Sequence, residues 1–565
     1  MSEIESSLRL SNLDAETEIQ AAQTLRQLHE EDKVARLTAI EEELMLVLKE
    51  EERDCEQLPR PVFEQLISKI QARKYFPGEP PVQTAFNHYS TRIFLWDTEL
   101  IVEVLASIGS EKIVDWAARS LDTLTAKMND NGFIPNMQYL AHYGGLHLGA
   151  IAERLTFTNR EGSDYSQPYL LPTAIKAVFE GYLRLGNEQK AWSFLEDMYP
   201  KAKLHGEYFR QYRSSSQENP LIYNIHPHED GRDNHGKFKL KRFGSKTPLA
   251  WDYLDVAQDF GLTYLKNLRL RRIGWDPMRA RGIYGRRDTM FNSIMVKDSR
   301  VMRDIARLLE QHEPDAVKQR NYKNESAEFD AYAQKLEHAI FKYMWHEDDV
   351  WSPRGSRTHK GLFRSIKGNG QPEEEIDAGD LMSLILENLK ANQLVSLVNL
   401  IFASFNTPYG IPGTPTDSFI ADFHYERRTG CNWDAIWPHI QKILCNDGLR
   451  MQADRIERDP KFRAEFKSQA EARQTQYLCN VIADMAARRT KELTAGHYAE
   501  MYDPYSGTPQ RYPHVKRFGM AMQAEIFDYY GLDIDDRYFK LCRRLGRIVN
   551  RPYSDLFIVR EEVED

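Results

Sequence analysis

Two stretches far apart in the chain carry residue types suited to acid–base chemistry. The first is His226-Pro-His-Glu-Asp-Gly-Arg-Asp233-Asn234, and the second is His497-Tyr-Ala-Glu500-Met-Tyr-Asp-Pro504-Tyr-Ser-Gly507. Each sets a carboxylate in a segment rich in Gly, Pro, Asn and aromatic residues between long helical patterns, and loops on a rigid scaffold are where catalytic groups tend to sit. Cleaving an acetal takes two such carboxylates. One stays protonated as general acid, and the other stays ionised to activate water. Asp233 and Glu500 are the candidate pair, 267 positions apart. The first stretch also admits a metal site, because His226, His228, Glu229, Asp230, Asp233 and His235 are all ligand types. No second cluster has clear metal-ligand spacing, so the expectation is no metal and no cofactor.

The scaffold for these residues reads as helical. From about Pro61, helical apolar patterns alternate with loops, and period-two strand patterns are scarce. Helices are expected over 98–108, from Ile113 to Met128, from just after Pro168 to Gly186 with Ile175, Val178, Phe179 and Tyr182 as its stripe, and around Trp192 to Tyr199. Further ones are expected over 251–265, 288–309, 327–343, 378–389, 394–403 and 434–444, and then over 470–487, 517–530 and 535–549. Four long loops, 131–167, 207–247, 352–376 and 406–431, exceed what a bare bundle needs. Residues 1–60 form a charged N-terminal helical extension, leaving 61–565 as the main domain. The stripe Leu25, Leu28, Val34, Leu37, Ile40, Leu44 and Leu48 fits a hairpin laid on that domain; self-association into a homo-oligomer is the sharper alternative.

Composition narrows the class. The 565 residues are 41% hydrophobic with a formal net charge of −9, enough apolar content for a large core and no footprint for nucleic acid or an anionic membrane. Five cysteines stand singly, which favours a reducing, cytoplasmic setting. No secretory leader or membrane span is legible.

Several segments, in order, resemble one enzyme family. Asn87-His-Tyr-Ser-Thr-Arg-Ile-Phe-Leu-Trp96-Asp97 is similar to the Trp-Asp segment opening the catalytic domain of trehalases and of the related α-glucosidase-I and mannosylglycerate hydrolase group. Phe133-Ile-Pro135-Asn136 and Ser166-Gln167-Pro168 follow in the same order, and Asp230-Gly231-Arg232-Asp233-Asn234 resembles the family's general-acid loop. Asp288-Thr-Met-Phe-Asn292 is similar to a downstream structural segment, and Trp433-Asp-Ala-Ile-Trp437-Pro438 to the second aromatic signature. Glu500-Met-Tyr-Asp-Pro-Tyr-Ser-Gly507 resembles the general-base segment, and Phe518-Gly519 the pattern beyond it. Tyr89 stands where trehalases carry an arginine, and the second signature is shortened, so the resemblance is to the broader family.

The resemblance implies an all-α (α/α)6 toroid with a pocket at one end and an inverting α-glycosidase acting on a small glucoside or mannoside. Asp233 would be the acid and Glu500 the base. Trp96, Tyr139, Trp433 and Trp437 could wall the sugar; Asp97, Asn136 and Gln167 could bond its hydroxyls, with Arg232 and Phe518 in the same motifs. Each has a plainer reading: a lone Trp is more often core, and Asp97 or Asn136 could cap a helix. Another toroidal sugar enzyme (epimerase, phosphorylase or invertase-like) and a sugar-binding scaffold without turnover are the alternatives.

Overall fold

Apolar residues at helical spacing fold this chain into helix pairs, seen here in a computed structural model. It describes residues 92–107, 111–139, 157–159, 162–216, 218–226, 229, 265–351, 359–405, 407, 411–413, 432–433, 443–496, 501–502 and 509–511. All of these lie in one unit, 75–543. The expected boundary at 60/61, the N-terminal extension and the helices expected over 251–264, 517–530 and 535–549 fall outside the described residues.

Helix α1 spans Leu95–Ser107 and α2 spans Glu111–Thr125. In α2, Val114, Ala117, Ala118, Leu121 and Leu124 are buried at three- and four-residue intervals, while Arg119 faces solvent. Gly132 then turns the chain with φ 86°, and a Cβ there would lie 2.1 Å from the Leu204 carbonyl oxygen, so no other residue fits. Helix α3, Leu171–Arg184, begins with Pro172 in its first turn and stops before Gly186, whose φ is 76°. A short turn leads into α4, Glu188–Tyr208, which runs into a π-helical turn at Phe209–Arg213.

The longest pair is α5, Thr289–His312, and α6, Ala316–Tyr343, folded back on each other by a three-residue turn. Asp288 caps α5 through the Phe291 N–H at 3.0 Å, and Asp315 caps α6 through the N–H groups of Val317 and Lys318. Helix α6 starts eleven residues before the sequence expectation. Its opening turns project polar residues into solvent and so carry no apolar stripe to read. Arg300 pairs with Glu337 at 2.7 Å across the two helices. Helices α7, Ala391–Ser404, and α8, Gln469–Gly496, pack together further along.

The helix expected over 378–389 is corrected. One helical turn at Ala378–Leu381 passes into a 3-10 turn at Met382–Ile385, and Leu386 is extended. Gln452 explains the stop: its Nε2 donates to the Leu384 and Leu386 carbonyls, taking acceptors a continuing helix would need. The loop expected over 352–376 is also corrected in part. A hairpin of Trp345–Trp351 with His359–Phe363 extends into it, and Ile366–Lys367 pairs with Arg286–Arg287. Among the described residues no helix is long and apolar enough to cross a membrane.

Where α3 packs against α1 and α5, three carboxylates are buried, Glu99, Glu103 and Asp298. Both oxygens of Glu99 lack a hydrogen-bond partner, and burial, then the charges of Asp298 and Glu103, hold its pKa well above the usual carboxylate range. Asp298 accepts from the Thr173 N–H at 2.9 Å and hydroxyl at 2.7 Å, yet burial raises its pKa from 3.8 to about 6. A raised carboxylate pKa means the fold favours the neutral acid. Its stabilising contribution is therefore full below about pH 4 and lost as the pH rises through about 6, roughly 3 kcal/mol in all. Asp298→Asn should flatten the curve of unfolding temperature against pH over that window. Parallel curves for variant and wild type would remove this cluster from the pH dependence.

Candidate active site

The first turn of any helix leaves N–H groups without partners, and a buried helix start must find them elsewhere. At α1 they are supplied from distant segments. The Leu95 N–H donates to the Asn136 carbonyl at 2.7 Å, and the Trp96 N–H donates to Gln167 Oε1 at 2.7 Å. Strand β1, Arg92–Phe94, pairs antiparallel with β2, Met137–Tyr139, with Phe94 opposite Met137 and Arg92 opposite Tyr139. The Asn136 N–H donates in turn to the Tyr165 carbonyl at 2.7 Å. Trp96, Asn136 and Gln167, far apart in sequence, thus converge.

They converge in the interior. Trp96, Asn136 and Gln167 are 1%, 2% and 4% exposed. Trp96 Nε1, Asn136 Oδ1 and the Ser166 hydroxyl are buried with no protein partner, which makes this cluster rich in unspent hydrogen-bonding capacity. Capping of α1 by a side chain falls to Gln167, whereas Asn136 contributes its backbone carbonyl. Asp97 is half-buried in the first turn, where a carboxylate is favoured by the helix dipole.

The loop expected to carry the acid is anchored against the same cluster. Glu229 is fully buried, and its Oε1 accepts from the Ser166 N–H at 3.2 Å. Its Oε2 accepts from Arg213 at 2.5 Å and from the N–H groups of Ile225 and His226 at 2.5 and 3.3 Å. Arg213 is buried as well. Burial alone would weaken its charge, but the Glu229 carboxylate more than offsets this and its pKa is raised. Arg213 also donates twice to the Tyr223 carbonyl, at 3.0 and 2.8 Å. The His226 ring stacks on Tyr165 with centroids 4.1 Å apart and meets Asn267 Oδ1 through Nε2 at 3.0 Å. Two members of the metal reading, Glu229 and His226, are therefore engaged with protein partners. Arg232, Asp233, His228, Asp230 and His235 lie outside the described residues.

On the other side of the sequence, the strand Asn432–Trp433 pairs with Met501–Tyr502, Trp433 opposite Met501, and Pro509–Arg511 adds a third strand. This ladder puts the second aromatic signature alongside the residue that follows Glu500. Glu500 itself, Trp437 and Phe518 lie outside the described residues, and Tyr139 and Trp433 are described by their backbone positions.

Arg213 carries no signal in the sequence, since it stands alone at the end of a helix with no motif around it. Glu229 reads there only as a candidate metal ligand. Its position two residues before Gly231 in an acidic loop is the signal available for it.

The fold is that of the six-hairpin glycosidases, an (α/α)6 toroid. The family profile described as mannosylglycerate hydrolase MGH1-like glycoside hydrolase domain matches residues 112–519, and the chain belongs to that family of glycoside hydrolases. No curated protein matches the sequence. Among solved structures, the GH63 mannosylglycerate hydrolase from Thermus thermophilus in complex with Tris and D-glycerate aligns at TM-score 0.56 and 15% identity, over 81% of this chain and 98% of that one. The same hydrolase in complex with glucose aligns at TM-score 0.52 and 16% identity, over 84% and 100%. Neutral trehalase from Saccharomyces cerevisiae aligns at TM-score 0.42 and 15% identity, over 78% and 72%.

Gln167→Leu removes the acceptor for the Trp96 N–H while keeping side-chain bulk. It should cost about 1–2 kcal/mol, typical of a lost helix cap with a donor left buried. Urea unfolding measures this directly. An unchanged midpoint would show that α1 does not depend on this contact.

Proposed function

We propose that this protein is an inverting α-glycosidase that hydrolyses a small α-glucoside or α-mannoside, such as glucosylglycerate or mannosylglycerate. Asp233 is the general acid that protonates the leaving oxygen. Glu500 is the general base that takes a proton from the attacking water. The observation that carries this reading is the convergence of Trp96, Asn136, Gln167 and the Glu229 root of the Asp233 loop in one buried, hydrogen-bonded cluster. The pairing of Trp433 with Met501, the residue after Glu500, supports the second half.

The chemistry follows from two protonation states held apart. Inversion needs the carboxyl groups about 6.5–9.5 Å apart, so that water fits between the base and the anomeric carbon. Tyr139, Trp433, Trp437 and Phe518 supply the apolar walls in this reading, and Trp96 is enclosed in the interior. Asp97, Asn136 and Arg232 supply hydrogen bonds that select hydroxyls, Gln167 holds the helix start that carries Trp96 and Asp97, and no cofactor takes part. A polar wall of this kind discriminates strongly, because a substrate lacking one hydroxyl leaves a buried group unpaired. The five singly placed cysteines favour a reducing, cytoplasmic setting in this reading; Cys445 and Cys479 are buried free thiols whose pKa burial pushes up to about 12.

Asp233→Asn and Glu500→Gln should each lower kcat on α-glucosylglycerate or α-mannosylglycerate by at least about a hundredfold, the low end for general acid–base catalysis. Proton NMR of the first-released sugar should show the β-anomer. Full activity in either variant would reject the assignment, and release of the α-anomer would reject inversion. Sugar binding without turnover by the wild-type chain would favour a scaffold role.

A further inference from the structure

We infer that the buried Arg213–Glu229 pair is a positioning element for the general acid; this rests on Asp233 holding that role. Glu229 precedes Asp233 by four residues, and four residues of chain reach at most about 14 Å. Fixing Glu229 therefore fixes one end of the segment that carries the acid. The fixing is unusually complete for one side chain. Its carboxylate binds the Ser166 N–H on one oxygen and three donors on the other: Arg213, the Ile225 N–H and the His226 N–H.

Those donors come from three separate parts of the chain. Ser166 is the neighbour of Gln167, which holds the start of α1 at Trp96. Arg213 ends the π-helical turn after α4 and reaches back to the Tyr223 carbonyl, so it also fixes the strand-like run entering the loop. His226 is held independently by its stack on Tyr165 and by Asn267. A pair kept only for stability could be replaced by packed apolar side chains at little cost. Apolar side chains could not hold three backbone N–H groups in a set direction. That directional hold sets where the chain departs toward the acid, and a misplacement of about 1 Å at a proton donor costs on the order of a hundredfold in rate.

The discriminating readout is the leaving group. Glycerate leaves as an alkoxide unless it is protonated, whereas fluoride leaves without help from an acid. Glu229→Gln is compared with wild type on α-mannosylglycerate and α-glucosylglycerate and on the matching glycosyl fluorides. Its kcat should fall about a hundredfold on the glycerates and by no more than about threefold on the fluorides, with KM little changed. Should Glu229→Gln fail to fold with Arg213 left unpaired, the double variant Arg213→Met/Glu229→Gln removes both charges. The glutamine amide oxygen then serves only one side of the junction, so the same split is expected. Equal losses on both leaving groups, or no loss, would overturn the inference. Asp233→Asn run alongside should show the same split. If it keeps full activity on the glycerates, Asp233 is not the acid and the inference falls with that reading.

Discussion

A carboxylate with no access to water must have its charge answered by the protein, and Glu229 has four donors to answer it. Arg213 brings the charge, and three backbone N–H groups bring direction. Removing one partner from such a pair costs roughly 3–5 kcal/mol, because the other is left buried and uncompensated. The pair therefore commits the end of the turn after α4, the run through Tyr223 to His226 and the Ser166–Gln167 segment to a single arrangement. The start of α1 follows, because Gln167 is already spent on the Trp96 N–H.

The same logic recurs wherever long helices meet. Helix α5 is buried on nearly all sides over its first two turns, and three polar residues at its start find partners in distant segments. Asp288 caps the helix, Asn292 bonds Ile222 on both its N–H and carbonyl, and Thr289 meets Asp380 at 2.8 Å. Glu99 differs, with neither oxygen partnered, and it answers burial by favouring its proton. The described part of the chain so holds two kinds of buried acid: Glu229, spent entirely on donors, and Glu99, kept neutral by desolvation and like charge.

Helix periodicity was legible wherever one face packed and the other met water. The stripes of α2 and α3 marked their buried residues directly, and Asp288 marked the start of α5 within a residue. Periodicity was silent where a helix projected into solvent, as at the start of α6, and misleading where a run of positions was buried, as over 378–386. In that last stretch a largely apolar run cannot distinguish a helix from a packed irregular turn, and Gln452, more than sixty residues away, settles it.

By itself, the sequence determined the helical class, the family and the motifs worth watching, because those depend on local spacing and on residue type. It could not determine which motif residues would face a ligand and which would serve the scaffold. Gln167 holds a helix start, Trp96 is enclosed, and Arg213 carries no signature at all. These outcomes depend on which distant donors and acceptors meet after folding, and a buried polar atom takes its role from its partner in space, not from its neighbours in the chain.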